Sequence, residues 1–275
     1  MPTLRTPIRR SPQLAWFVTV PLALAAVPLA IAAQLGQAQI GYKLPPLHWA
    51  YGAFYLGLFI VAEVATLRFE FRRHAMAFSL TEVPLLLALF YVAPLPAIVA
   101  RILASIIVRA HRRMKPVQLW FNAAIAAVGI SVAYLVVLPY MPFGNVGPKT
   151  WLVLAAAVEA NVLVSLLAVV AVINLVQGRP STHDLVRTAV RGHVVAVTNI
   201  TLALVALLAL QVSPWAVLLL AGLATVFVVA YRSYAQSLNQ RYTLSELYEL
   251  TRSISDTSND SALADALLRR VRELM

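Results

Sequence analysis

The sequence predicts an all-α fold: a polytopic bundle of transmembrane helices that runs into a cytoplasmic C-terminal helix. Three observations carry this. Of 275 residues, 61% are apolar and 12% charged, about half the charged fraction of a soluble domain. The mean hydropathy is +0.79, and the apolar residues fall in long runs approaching the roughly 20 needed to cross hydrocarbon. Basic residues gather in every second link between those runs.

The first run, about 14–34, follows Arg5, Arg9 and Arg10. A signal peptide has this charge order, but its apolar core is usually about 7–15 residues. This run is longer and further runs follow, so it reads as an uncleaved first span. The others lie at about 47–67, 79–92, 95–110, 117–140, 150–176, 192–212 and 214–231. Pro45-Pro46, the segment from Pro139 to Pro148, and Ser213-Pro214 mark the links. Residues 79–92 are the weak member. Ser79 and Glu82 have the spacing of a capping box, and a helix from there to Val92 reaches about 20 Å against a hydrocarbon core of about 30 Å. The expected count is therefore eight spans, or six around a short re-entrant hairpin turning at Pro94 and Pro96.

Charge sets the expected orientation. Arg5, Arg9, Arg10, Arg68, Arg72, Arg73, Arg109, Arg112, Arg113, Lys115, Arg179, Arg187 and Arg191 lie on alternate links, against Lys43 and Lys149 on the others. The positive-inside rule places the thirteen, and both termini, in the cytoplasm of a bacterial plasma membrane. The net charge of +11 then reflects basic loops facing anionic lipid and not a nucleic-acid surface. Trp16, Trp49, Trp120, Trp151 and Trp215 fall near predicted span ends, as in an aromatic interface belt.

Composition changes after Tyr231. Residues 232–275 hold 6 of the 22 basic and 6 of the 11 acidic residues. Leu244, Leu247, Leu250 and Ile254 lie near heptad spacing, which predicts a signalling helix over 232–257 that pairs with its copy in a homodimer. Ser258-Asn259-Asp260 breaks it. Leu263, Leu267, Val271 and Leu274 then form one apolar face over 258–275, a stripe expected to pack against a partner or a continuing domain. Residues 1–231 form the predicted transmembrane domain.

Ionisable side chains at membrane depth are costly and mark functional sites by default. Glu63, Glu82, Arg101, Glu159 and His193 qualify, with Asn122, Asn161, Asn174 and Asn199 as polar companions. Glu63 and His193 lie near span ends, within reach of headgroups. In a hairpin turning at Pro94, Glu82 lies about 17 Å and Arg101 about 11 Å from the turn, which predicts a Glu82–Arg101 ion pair. Glu82, Arg101, Glu159 and Asn122 form the expected polar cluster, although Glu82 is equally explained as a helix cap. The chain has no cysteine, which excludes disulfides, thiolate metal sites and cysteine nucleophiles. It has no HExxH, phosphate-loop, GxSxG or GxGxxG pattern, so no catalytic, cofactor or metal residue is assigned. His183-Asp184 reads as a solvated pair in a basic loop.

Two stretches carry a resemblance. Phe78 to Arg113 (FSLTEVPLLLALFYVAPLPAIVARILASIIVRAHRR), with Asn122 in LWFN, resembles the membrane domain of actinobacterial sensor proteins bearing GGDEF and often EAL output domains. It is also loosely similar to the multi-span modules of LytS-type histidine kinases. Arg241 to Met275 resembles the linker and opening helix of a GAF domain in such proteins. The resemblance covers about a quarter of the chain. It implies a sensory input and dimerisation module for an enzyme that makes or degrades cyclic di-GMP, and no GGDEF or EAL motif lies in these residues. The alternative is a small-solute transporter or binding protein using Glu82, Arg101 and Glu159. An intramembrane enzyme lacks a plausible acid–base or metal set.

Overall fold

The computed structural model describes residues 12–40, 48–65, 67–71, 74–78, 80–143, 146–176, 182–223, 225–226 and 268–272. A turn of 3-10 helix at Pro12–Ala15 leads into α1 (Trp16–Gln39). Then come α2 (His48–Val64), strands β1 (Leu67–Phe71) and β2 (His74–Phe78), α3 (Glu82–Tyr91), α4 (Pro94–His111), α5 (Pro116–Val137), α6 (Pro148–Val176) and α7 (Thr182–Val212). The chain divides into two units, Met1–Ala216 and Val217–Met275. In the second, residues 217–223, 225–226 and 268–272 are described, all helical. The heptad positions Leu244, Leu247, Leu250 and Ile254 lie outside the described residues.

The helical class stands, with one local exception. Among the described residues five helical stretches are long and apolar enough to cross a membrane: Gln13–Gln39, Pro94–His111, Pro116–Tyr140, Pro148–Val176 and Gly192–Val212. These are compatible with a membrane protein. Two further apolar helices, Trp49–Val64 and Glu82–Tyr91, are shorter; the expected count of eight full spans is not confirmed, and the last of them, 214–231, lies partly outside the described residues. The exception is an antiparallel hairpin pairing Leu67 with Phe78 and Phe71 with His74, where a basic loop was expected. LRFEF alternates apolar and charged residues with period two, and alternation favours a strand over a helix.

Helix α5 is the hub. Most of its apolar length, from Ala123 to Ser131 and again at Ala133, Tyr134 and Val137, is buried, and it packs against α1, α4 and α6. Small residues let it approach: Ala26 of α1 clusters with Ala127 and Val128 of α5, the kind of contact by which helices associate where lipid offers no hydrophobic drive. On the other side Gly52 of α2 lies over Pro96 of α4, where a Cβ would come 2.9 Å from the proline ring. The main core joins Tyr55 and Phe59 of α2, Leu85 to Leu89 of α3, Ile130 and Tyr134 of α5, Leu154 and Val158 of α6, and Ala203 and Leu207 of α7.

The break between α3 and α4 explains why so short a helix persists. Helix α3 spans about 15 Å and α4 about 27 Å. Pro94 and Pro96 carry no N–H, so in a continuous helix the carbonyls of Phe90 and Val92 would have no i+4 donor. Val92 and Ala93 adopt extended backbone instead, with ψ 146° and 153°, and the chain folds back. Side chains then supply the missing bonds. Tyr134 Oη shares its proton between Val92 O at 2.9 Å and Ala88 O at 3.0 Å. The Leu95 N–H, an orphan of the first turn of α4, donates to Gln34 Oε1 of α1 at 3.2 Å. Irregular backbone at membrane depth persists only where protein satisfies it. Pro84 to Leu89 are all buried, so α3 is enclosed by protein.

The helix starts at Glu82 behind Thr81, whose side chain makes no capping bond; Ser79, the expected capping residue, lies outside the described residues. Ser213-Pro214 does form the expected tight turn, with α7 ending at Val212 and the Ala216 N–H bonded to Ser213 O at 3.0 Å.

Candidate functional site

The polar side chains of the bundle resolve into three groups. The largest is built on Glu63, near the C-terminal end of α2. Tyr55, Phe59 and Glu63 recur every four residues and so share one helix face; all three are buried. That face packs on α4 and carries the carboxylate to its arginines. Arg101 Nη1 donates to Glu63 Oε1 at 2.8 Å and Arg109 Nη1 to Glu63 Oε2 at 2.5 Å. Arg112 Nη2 donates to the Glu63 backbone carbonyl at 3.1 Å. Arg109 also donates to Ser105 Oγ at 2.9 Å, and Arg101 lies 5.2 Å above the centre of the Phe59 ring, within cation–π range. Charge-assisted bonds of this kind are about twice as strong as neutral ones.

This group walls a cavity of about 350 Å³, within the range of small-ligand sites, roughly 300–1,000 Å³. Besides the three arginines and Glu63 it is lined by Thr81, Ser105, Asn122, Asn161 and Ser165, with Val108, Met114, Ile125, Ala126 and Val169 as its apolar surface. Arg112 and Met114 are exposed at its rim, whereas Thr81, Ser105, Val108, Ile125 and Ala126 are buried. The Asn161 wall depends on Gly129, because a Cβ there would overlap Asn161 Oδ1. Asn122 anchors itself to its own helix, Nδ2 donating to Gln118 O at 2.6 Å.

The second group joins α3 to α7. Asn199 Nδ2 donates to Glu82 Oε2 at 2.9 Å, and Gln211 Nε2 donates to Tyr91 Oη at 2.9 Å. The third joins α6 to α7 through His193 Nδ1 and Glu159 Oε2 at 3.0 Å, with the side chains 41% and 27% exposed.

The expected cluster is therefore redistributed. Arg101 and Asn122 do line one cavity. The predicted Glu82–Arg101 ion pair is replaced, because Arg101 takes Glu63 and Glu82 reaches across to Asn199. Glu159 belongs to a separate, more exposed pair with His193. Glu63, read from sequence as a span-end residue within reach of headgroups, is 6% exposed and is the hub. Arg109 and Arg112, counted as loop charge, belong to the same site. The available signal was the i, i+4, i+8 series Tyr55–Phe59–Glu63, which sets the carboxylate on a core-facing stripe.

Among the described residues no group of three or more His, Cys, Asp or Glu could hold a metal ion. Trp16, Trp49, Trp120 and Trp215 are exposed, which suits interface anchors better than an aromatic cage. No family model matches this chain, no curated protein matches its sequence, and no solved structure matches its fold.

Proposed function

We propose that this chain is the membrane-embedded input and dimerisation module of a bacterial signal-transduction protein, with both termini in the cytoplasm. In this reading it senses through the cavity around Glu63, Arg101 and Arg109 and controls a downstream enzyme of cyclic di-GMP turnover. The supporting observation is the cavity itself: a walled, charged site inside an apolar helical bundle, where three arginines are held around one buried carboxylate. Charged groups are retained in such surroundings where they do work. The alternation of arginine-rich and nearly neutral links supports the orientation. The heptad residues Leu244, Leu247, Leu250 and Ile254, and the resemblance noted above, support the dimer and the output.

The test is cross-linking. The chain has no cysteine, so single cysteines along 236–254 report dimer contacts in native membranes without background. Strong cross-links recurring with heptad spacing at 244, 247, 250 and 254 are expected; no dimer contact at any position rejects the reading.

One observation favours a second reading, a small-solute transporter: the α3–α4 interruption inside the bundle, since broken helices commonly line substrate sites. Against it, Leu85, Leu86, Leu89, Ile130 and Tyr134 fill the interior beside the break. Uptake that survives removal of residues 233–275 and is lost in Glu159→Gln would establish the transporter instead.

A further inference from the structure

The cavity carries more positive charge than it neutralises. Arg101, Arg109 and Arg112 line it with one carboxylate, Glu63, and the carboxylate of Glu82 also acts electrostatically on Arg101. Both carboxylate oxygens of Glu63, and its backbone carbonyl, already accept bonds from these arginines. Arg101 commits one of its five N–H groups, through Nη1, to Glu63. Its side chain is 14% exposed and lines the cavity, so the remaining N–H groups are available to a ligand there. One positive charge is left in surplus, at a site whose inner end is Arg101 and whose rim is the exposed Arg112, and an anion entering at the rim offsets it.

We propose that this cavity binds a phosphate monoester group, held by Arg101 in the wall and by Arg112 at the rim. The number of acceptor oxygens selects the class. A carboxylate offers two, whereas a phosphate monoester carries about −1.5 to −2 charge at neutral pH and offers three, enough to bridge Arg101 and Arg112 at once. Geometry agrees, because planar guanidinium forks match tetrahedral oxyanions bidentately. The volume suits a small phosphoester. The phosphate has two sources of the same chemistry: a soluble ester entering at the rim, or the headgroup of a phosphatidic-acid-type lipid. The inference rests on the reading of this cavity as the sensory site of the input module.

The test uses the full chain in nanodiscs. One arm has phosphatidylcholine discs titrated with glycerol 3-phosphate; the other has discs doped with phosphatidic acid. Saturable binding and a raised thermal midpoint are expected in at least one arm, and which arm responds identifies the source. Arg101→Gln and Arg112→Gln should each weaken apparent affinity at least about tenfold, the scale of one hydrogen bond to a charged group. Arg113→Gln, an exposed neighbour outside the cavity lining, should leave it unchanged. Should Arg101→Gln fail to fold, exposed Arg112→Gln carries the test alone. No saturable binding in either arm, wild-type affinity in a folded Arg101→Gln or in Arg112→Gln, or equal loss in Arg113→Gln each overturns the proposal. Cross-linking along 236–254 is scored separately: dimers without phosphate binding sink this inference alone, and phosphate binding without dimers sinks the input-module reading.

Discussion

Removing one oxygen atom, in Tyr134→Phe, tests the account of the α3–α4 break. The hydroxyl is fully buried and donates to Val92 O and Ala88 O across 42 and 46 residues of sequence. Ala88 O keeps the Val92 N–H at 2.8 Å, so its loss is partial. Val92 O has no such reserve: its i+4 residue is Pro96, which has no N–H, and the i+3 amide, Leu95, is committed to Gln34. Interhelical hydrogen bonds in membranes average about 0.6 kcal/mol and reach about 1.7, because separated helices find other partners. That relief is weak here, since the proline deprives Val92 O of its helical donor in the separated state too. The expected loss is therefore near the top of the range, about 1.5 kcal/mol, or roughly tenfold in the unfolding equilibrium. Ser131→Ala is the matched control on the same helix. Its buried hydroxyl donates to Ala127 O at 2.7 Å, a carbonyl already within the helical ladder, so its removal should cost under about 0.5 kcal/mol. Reversible unfolding in mixed micelles, with amide exchange followed at Leu95 and Ala97, measures both. If Tyr134→Phe and Ser131→Ala lose the same stability, the idea that Tyr134 replaces a proline-deleted bond is wrong.

Three further outcomes are expected from the same unfolding assay. Glu63→Gln leaves Arg101 and Arg109 without their carboxylate and should cost about 3 kcal/mol, the scale of a broken buried pair; a change below about 1 kcal/mol would show that solvent already screens the group. Glu159→Gln should cost under about 1 kcal/mol, because the His193 pair is partly exposed. Gly129→Ala should cost about 1–3 kcal/mol by overpacking against Asn161, and a probe placed near Asn161 should report a shifted side chain.

What the sequence made legible was local. Helix type and extent follow from composition: apolar runs predicted at 14–34, 95–110, 117–140, 150–176 and 192–212 correspond to five long apolar helices. Proline and serine fix two of the turns, at Pro94 and Ser213. The errors have one cause, which is that side-chain reach across helices cannot be read from spacing along one. Glu82 and Arg101 were paired by their distances from a shared turn. Those distances set depth and leave rotation open, and rotation turns Glu82 to α7 and Arg101 to α2. Glu63 lies near a span end, which suggests the headgroups; however, the face of the last turn of α2 that carries it is covered by α4, while Val61 and Val64 on the other faces are exposed. The hairpin at 67–78 was hidden because its basic residues suit a loop equally well; the alternation in LRFEF was the better guide.

The break and the charged cavity follow from one another. Thr81 and Arg101 are 20 residues apart, so on an unbroken helix they would be separated by about 30 Å and could not line one space. Folding back at Val92 and Ala93 turns that separation into adjacency across a cavity of about 350 Å³. The cost of the fold-back is a few orphaned backbone groups, met by Tyr134 and Gln34 from neighbouring helices. The benefit is that the start of α3 and the arginine face of α4 bound the same volume. Glu82, directly after Thr81, holds Asn199 of α7. A ligand that displaces the start of α3 would therefore act on α7 through the Glu82–Asn199 bond, and the Gln211–Tyr91 bond ties the other end of α3 to the same helix. That makes the two α3–α7 bonds, at Asn199 and Gln211, and not the more exposed Glu159–His193 pair, the contacts through which occupancy of the cavity would reach the end of α7.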